Sequence, residues 1–156
     1  ALKTSFMSSK TKAYFSPGDD CLNHILELIN GCENSLDICV FTISDDRIRD
    51  AIINAHIENV SIRIISDNDK LKDEGSDIKE LASRGIPVKI DTTPYHMHHK
   101  FMIVDGKITL TGSYNWTRSA ARFNQENVIS LEENVITTSF QNHFNELWEK
   151  CVRLDT

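Results

Sequence analysis

Residues 96–116 read HMHHKFMIVDGKITLTGSYNW, and this stretch decides the fold. Asp105-Gly106 is a two-residue hairpin signal, because a type I′ turn needs positive φ at both central positions and Asp and Gly tolerate it. Apolar residues fill both arms, which predicts a buried central hairpin with strands at 98–104 and 107–111. A two-residue loop sets the pairing: Val104 faces Lys107, Met102 faces Thr109, Lys100 faces Thr111 and His98 faces Ser113. Side chains alternate along a strand, so His98, Lys100, Thr111 and Ser113 project to one face. Opposed Cβ atoms sit about 5 Å apart, and two further extended residues bring Asn115 to the same place.

Outward from the hairpin, helical and strand signals alternate. Strands are predicted at 12–15, 35–43, 60–65, 88–90 and 127–131. Helices are predicted from Asp19 or Asp20 to Gly31, from Asp45-Asp46 through Ile48, Ala51, Ile52 and Ala55, at 78–83, from near Thr117, and over 135–151. In the last helix Phe140, Phe144, Leu147 and Trp148 share a side. The class that follows is α/β, a mixed β-sheet sandwiched between helices, formed by residues 1–156 as a single domain.

The 156 residues are 40% hydrophobic and 26% charged, a globular composition that excludes a disordered chain. No apolar run approaches the ~20 residues of a membrane helix. The opening ALKTSFMSSKTK lacks the apolar core of a signal peptide, and the compartment stays open. Four cysteines without C-x-x-C spacing read as buried free thiols.

The net charge of −6 argues against a polyanion partner, but it is unevenly spread. Between Thr92 and Arg122, Lys100, Lys107, Arg118 and Arg122 oppose only Asp105, so this stretch carries +3 and the remainder −9. Three of the six histidines, His96, His98 and His99, lie in it as well. A local positive site on an acidic body suits a small anionic group.

An imidazole, an ammonium, a hydroxyl and a carboxamide gathered at one strand end form a pocket for a tetrahedral oxyanion. A neutral imidazole is a nucleophile or proton carrier near pH 7. A lysine and an amide can hold the oxygens of a phosphoryl group as its charge redistributes. Asp67-Asn68-Asp69 begins like a calcium loop, but Leu71 and Lys72 break the pattern where a ligand and a glycine are required. No metal and no cofactor are expected, and the site reads as metal-independent phosphodiester cleavage through a phosphohistidine.

His98-x-Lys100-x4-Asp105-x6-Gly112-Ser113-x-Asn115 resembles the HKD signature of the phospholipase D superfamily in full. Chain size and the single motif are similar to the small bacterial Nuc-type endonucleases. HMHHKF and TGSYNWT also resemble the mitochondrial Zucchini-type member. The resemblance implies a phospholipase D-like fold, with His98 as nucleophile, Lys100 and Asn115 on the phosphate, and Ser113 in support. Glu126, in NQENVIS, matches the acid that hydrogen-bonds the histidine.

Asp105, about 23 Å along the strand from His98, and Gly112 are assigned structural roles. His96, Arg118 and Arg122 are candidate substrate contacts, and Asn115 has a second reading as a helix cap. Trp116 reads as a core anchor. Neither a membrane anchor nor a zinc insert is evident, which favours the soluble bacterial type, periplasmic, secreted or cytoplasmic.

The implied activity is an endonuclease on single-stranded DNA or RNA with little sequence specificity. The alternatives are a lipid phosphodiesterase, or a module of a larger nucleic-acid-processing protein. One HKD copy per chain implies a homodimer with a composite site.

Overall fold

A computed structural model describes residues 10–155, so most of the opening stretch read above lies outside the described residues. One mixed sheet forms the centre. Its strands are β1 (Lys12–Ser16), β2 (Ser35–Val40), β3 (Ser61–Ser66), β4 (Val88–Ile90), β5 (Lys100–Val104), β6 (Ile108–Gly112), β7 (Glu126–Leu131) and β8 (Val152–Arg153). They lie in the order β1-β7-β6-β5-β2-β3-β4-β8, with β2, β3 and β4 parallel and the other pairs antiparallel. The helices are α1 (Asp20–Asn30), α2 (Asp46–Ile57), α3 (Ile78–Ser83), α4 (Arg118–Arg122) and α5 (Asn134–Lys150).

The pleat sorts the core into two layers. Leu36, Ile38, Val40, Met102, Val104 and Leu110 face the helices α1 to α4, through Leu22, Ile25, Ile48, Ile52, Leu81 and Ala120. The alternating residues Cys39, Ile65, Phe101 and Ile103 face α5, through Phe140, Phe144, Leu147 and Trp148. Strand β2 is buried along nearly all its length, and its one charge, Asp37, is matched. Arg63 grips it with Nε–Oδ1 and Nη2–Oδ2 contacts of 2.8 Å each, and Gln141 of α5 donates to Oδ2 at 2.9 Å. Cys21, Cys39 and Cys151 are buried free thiols; Cys32 is only half-buried, its thiol donating to the Ser35 carbonyl and to Asp105.

The hairpin departs from the two-residue arithmetic by one position. Asp105 and Gly106 do take positive φ, 55° and 63°, and Lys107 N donates to the Val104 carbonyl at 2.9 Å. Lys107 is then passed over, and Val104 pairs with Ile108, Ile103 with Thr109, Met102 with Leu110 and Phe101 with Thr111. This extra residue exchanges the faces of the second arm. Thr111 therefore shares the α5 side with Phe101, and Gly112, not Thr111, comes opposite Lys100. The first arm is also shorter than expected, since β5 begins at Lys100 and residues 91–99 run as an irregular segment.

Two other ends differ. The strand expected over 35–43 stops at Val40, where the chain turns to reach α2; Ser44 N and Asp45 N donate to the Trp116 carbonyl, and Ile43 bridges Trp116 alone. Beyond α5 the chain adds β8 on the sheet margin, a two-residue strand too short to leave a pattern in sequence.

Candidate active site

The carboxyl ends of β1, β2, β3, β4 and β6 and the amino ends of β5 and β7 meet along one edge of the sheet. This is where open α/β sheets place ligands. A cavity of about 520 Å³ opens there, lined by His98, His99, Lys100, Thr111, Gly112, Ser113, Asn115 and Glu126. The face exchange in the hairpin does not scatter these groups, because His98, Ser113 and Asn115 lie beyond the strand ends, where pleat alternation no longer governs them.

Lys100 is buried, with 9% of its surface exposed, and its ammonium turns onto His98. Nζ lies 2.8 Å from His98 Nδ1, 3.4 Å from Nε2 and 2.7 Å from the His98 carbonyl. Burial lowers the Lys100 pKa against the opposing pull of Glu126. His98 is held below the ordinary histidine value by desolvation, then by the Lys100 and His96 charges, against a smaller contribution from Asp67. The imidazole is thereby biased toward its neutral form, with the Lys100 ammonium set against it.

Glu126 lines the same cavity but makes no hydrogen bond to His98 among the described residues. Its carboxylate acts on Lys100 through charge. Ser113 Oγ accepts from Asn127 N at 3.1 Å, and Ser113 N donates to the Asn127 carbonyl at 3.0 Å, which ties the pocket floor to β7. Asn115 does not cap α4: Thr117 is the cap, its Oγ1 accepting from Ala120 N at 3.2 Å. Arg118 and Arg122 are exposed on α4 and lie outside the cavity lining. His96 lies outside it too, in a neighbouring cavity that it shares with His98.

Gly112 sits where strands β6 and β7 touch. A Cβ there would come within 2.1 Å of the Asn127 carbonyl oxygen. Asp105 is at the other end of the hairpin, accepting from Glu33 N, Asn34 N and Ser35 N at 3.1, 2.7 and 3.0 Å. Burial raises its pKa, but the amides of Ser35, Asn34 and Glu33 and the Cys32 thiol outweigh this and hold the carboxyl below its usual range. Trp116 is fully buried in the core.

Two contributors escaped the sequence reading. Phe41, just past β2, places its ring 4.7 Å from His98 and 5.3 Å from His96, with Lys100 Nζ 5.5 Å from its centroid. Asp67, just past β3, is fully buried; its Oδ2 accepts from Met97 N at 2.7 Å and lies 3.6 Å from His96 Nδ1. Asp67 follows the strand predicted at 60–65, whereas Phe41 fell inside the strand predicted at 35–43 and carried no signal. Asp67, Asp69 and His96 come within 4.8 Å of one another, a grouping that the expectation of no metal overlooked. Both Asp67 oxygens already accept backbone amides, from Met97 and Asp69.

Fold and motif together define a phospholipase D-like protein, and comparison agrees. Residues 25–148 match the family described as cardiolipin synthase, PLD-like domain. The mitochondrial cardiolipin hydrolase of Chlamydomonas reinhardtii is 46% identical over 128 residues, covering 82% of this chain and 57% of that protein. A phospholipase D of Rickettsia prowazekii is 38% identical over 138 residues, covering 88% and 67%. The crystal structure of Nuc from Salmonella typhimurium, a phospholipase D family member, superposes with a TM-score of 0.87 at 23% identity, covering 94% of this chain and 98% of that one.

The chain belongs to the PLD-like domain family, and its fold is that of Nuc. Sequence identity is 46% to the Chlamydomonas cardiolipin hydrolase and 38% to the bacterial phospholipase D, against 23% to Nuc. It spans a little over half the length of the cardiolipin hydrolases it matches. No helix of the described residues is long and apolar enough to cross a membrane.

Proposed function

We propose that the chain is a metal-independent phosphodiesterase of the HKD type, with His98 as the nucleophile. The observation that carries this is the buried Lys100 ammonium against a neutral His98 imidazole, in a cavity with Ser113, Asn115 and Glu126. A phosphodiester entering the cavity draws Lys100 Nζ from His98 onto a non-bridging oxygen. The freed imidazole nitrogen attacks phosphorus, an N–P bond forms, and the bond to the leaving oxygen breaks with transfer of a proton to that oxygen. Water then cleaves the N–P bond and returns the imidazole. Asn115 supplies a second donor to the phosphoryl oxygens, and Glu126 holds the charge of Lys100 in place.

The proton for the leaving oxygen comes from a second copy of the chain in a symmetric homodimer: of the two facing imidazoles the attacking one is neutral and the opposing one protonated, and the opposing one regains its proton from the water that cleaves the N–P bond. His99, the other imidazole lining the cavity, has its Nε2 engaged by His143, and His96 sits in the next cavity beside Asp67. A two-fold axis beside the pocket supplies an opposing His98, and isologous dimers are the commonest way to achieve this.

The substrate of the first reading is single-stranded DNA or RNA, cut with little sequence preference. Exposed Arg118 and Arg122 on α4 support it as contacts to the backbone of a strand. The second reading, an anionic phospholipid, is favoured by the relatives named cardiolipin hydrolase. The test is a panel of single-stranded DNA, RNA and cardiolipin vesicles, each with EDTA, using wild type and His98→Ala. Cleavage of one class that survives chelation and is lost in His98→Ala supports the mechanism and names the substrate. Activity abolished by EDTA and restored by Mg²⁺, or retained in His98→Ala, overturns it.

A further inference from the structure

The histidine after the proposed nucleophile belongs to a second constellation. His99 Nε2 lies 3.0 Å from His143 Nε2, reaching from the irregular 91–99 segment to α5. The two rings meet edge to face with centroids 5.0 Å apart, and His99 is steadied by an edge contact to Phe101 at 5.3 Å. Both line a cavity of about 290 Å³ with Phe101, Ser139 and Phe140. Both also line the neighbouring cavity of about 460 Å³, together with His96, His98 and Met97. Four of the six histidines thus surround one rim.

Two Nε2 atoms facing each other at this distance share one proton, one donating and one accepting. Both rings are exposed, so the position between them is open to an ion. Two nitrogens on one tetrahedral Zn²⁺, at about 2.0–2.1 Å from the metal, are themselves roughly 3.3 Å apart. A change of a few tenths of an ångström turns the proton-sharing pair into a bidentate metal clamp. Imidazole pairs of this kind select Zn²⁺, Cu²⁺ and Ni²⁺ over Mg²⁺ and Ca²⁺, which prefer oxygen ligands.

We propose that His99 and His143 form a transition-metal site on the rim of the catalytic cavity, taking Zn²⁺ with water in the remaining positions. The metal replaces the shared proton and ties the 91–99 segment to α5. Because His99 adjoins His98 and lines the catalytic cavity, the loaded site blocks turnover. Metal binding rests on the paired imidazoles alone; the inhibition rests on the phosphodiesterase reading.

The experiment measures Zn²⁺ binding directly, by equilibrium dialysis on full-length protein freed of metal with EDTA. Wild type, His143→Ala and His99→Gln are compared, with circular dichroism to check folding. One Zn²⁺ bound per chain in wild type, and none at comparable free Zn²⁺ in either variant, is the expected result. Absence of binding to wild type, or equal binding to His143→Ala, overturns the site. Should a variant fail to fold, Cu²⁺ added to wild type must broaden the imidazole NMR signals of His99 and His143 first; earlier broadening of His96 places the metal elsewhere and overturns the proposal. In the activity arm, Zn²⁺ must inhibit wild type and leave His143→Ala active. Stoichiometric binding without inhibition refutes the blocking role while leaving the clamp standing.

Discussion

Substituting Gly112 by Ala tests whether close contact between β6 and β7 holds the catalytic edge together. The added Cβ would meet the Asn127 carbonyl oxygen at 2.1 Å and the Asn127 carbon and Val128 Cα at 2.9 Å each, all backbone atoms that no rotamer change can clear. Ordinary contact begins near 3.4 Å, so the strands must part by roughly 1 Å. Overpacking of this kind costs about 1–3 kcal/mol. The separation also strains Ser113 N–Asn127 O at 3.0 Å and Asn127 N–Ser113 Oγ at 3.1 Å. At about 1 kcal/mol for each of those bonds, the expected loss is about 3–5 kcal/mol.

That is a large part of the about 5–15 kcal/mol typical of a domain. With a urea slope of about 1–3 kcal/mol/M, the unfolding midpoint should fall by about 1 M or more. Because Ser113 and Glu126 flank the contact, residual folded enzyme should also lose activity. A Gly112→Ala protein that unfolds within about 0.5 kcal/mol of wild type, and cleaves substrate normally, would falsify the reasoning.

Lys100→Met should lower kcat on the order of 10²–10³-fold, the usual cost of removing one preorganised donor to a developing oxyanion. Lys100 also lowers the His98 pKa, and the neutral imidazole is the reactive form. The acid limb of kcat/KM should therefore lie below the ordinary histidine value in wild type and move to higher pH in Lys100→Met; an unmoved limb sinks this assignment. Asp105→Asn should cost about 1.5–3 kcal/mol near neutral pH, since a charged acceptor of three backbone amides is lost. The folded pKa of Asp105 lies below its ordinary value, so its stabilisation is present above the unfolded carboxylate pKa and is lost as pH falls through the folded one. The gap between wild type and Asp105→Asn in urea melts should accordingly close in acid, and a constant gap contradicts it. Co-refolding wild type with excess His98→Ala should suppress multiple turnover in mixed dimers, and full activity of a monomer in sedimentation experiments at the assay concentration rules out the composite site.

Much of this architecture is legible because side-chain periodicity and turn chemistry agree. Ile78–Ser83 and Val88–Ile90 appear at their predicted limits, and α2 begins where Asp45 accepts the Arg47 amide at 3.0 Å. The register of β5 against β6 was not legible. Asp105-Gly106 signals the turn, but nothing in the sequence shows that Lys107 is passed over, and one unpaired residue exchanges a whole arm between faces. The fixed His98, Lys100, Ser113 and Asn115 spacing still identified a set that lines one cavity, because a motif carries its geometry without a correct strand register. Phe41 and Asp67 come from strands far away in sequence; Phe41 enters the site through the antiparallel pairing of β2 with β5, and Asp67 through the parallel pairing of β3 with β2. A local pattern cannot report that. The Lys100–His98 contact was equally invisible, since it depends on where a flexible ammonium settles and not on strand pattern.

The four cysteines have a consequence for where such a chain can work. Burial pushes the Cys21 thiol up to about 11 and Cys32 to about 12, and raises Cys39 and Cys151 as well. Thiolate is the species that exchanges with disulfides and reacts with electrophiles, so at neutral pH these sulfurs are nearly inert. The fold uses no disulfide among its described residues, and three of its four thiols are buried. The described fold therefore needs no oxidising environment to form a cross-link, and its stability rests on packing and hydrogen bonds alone.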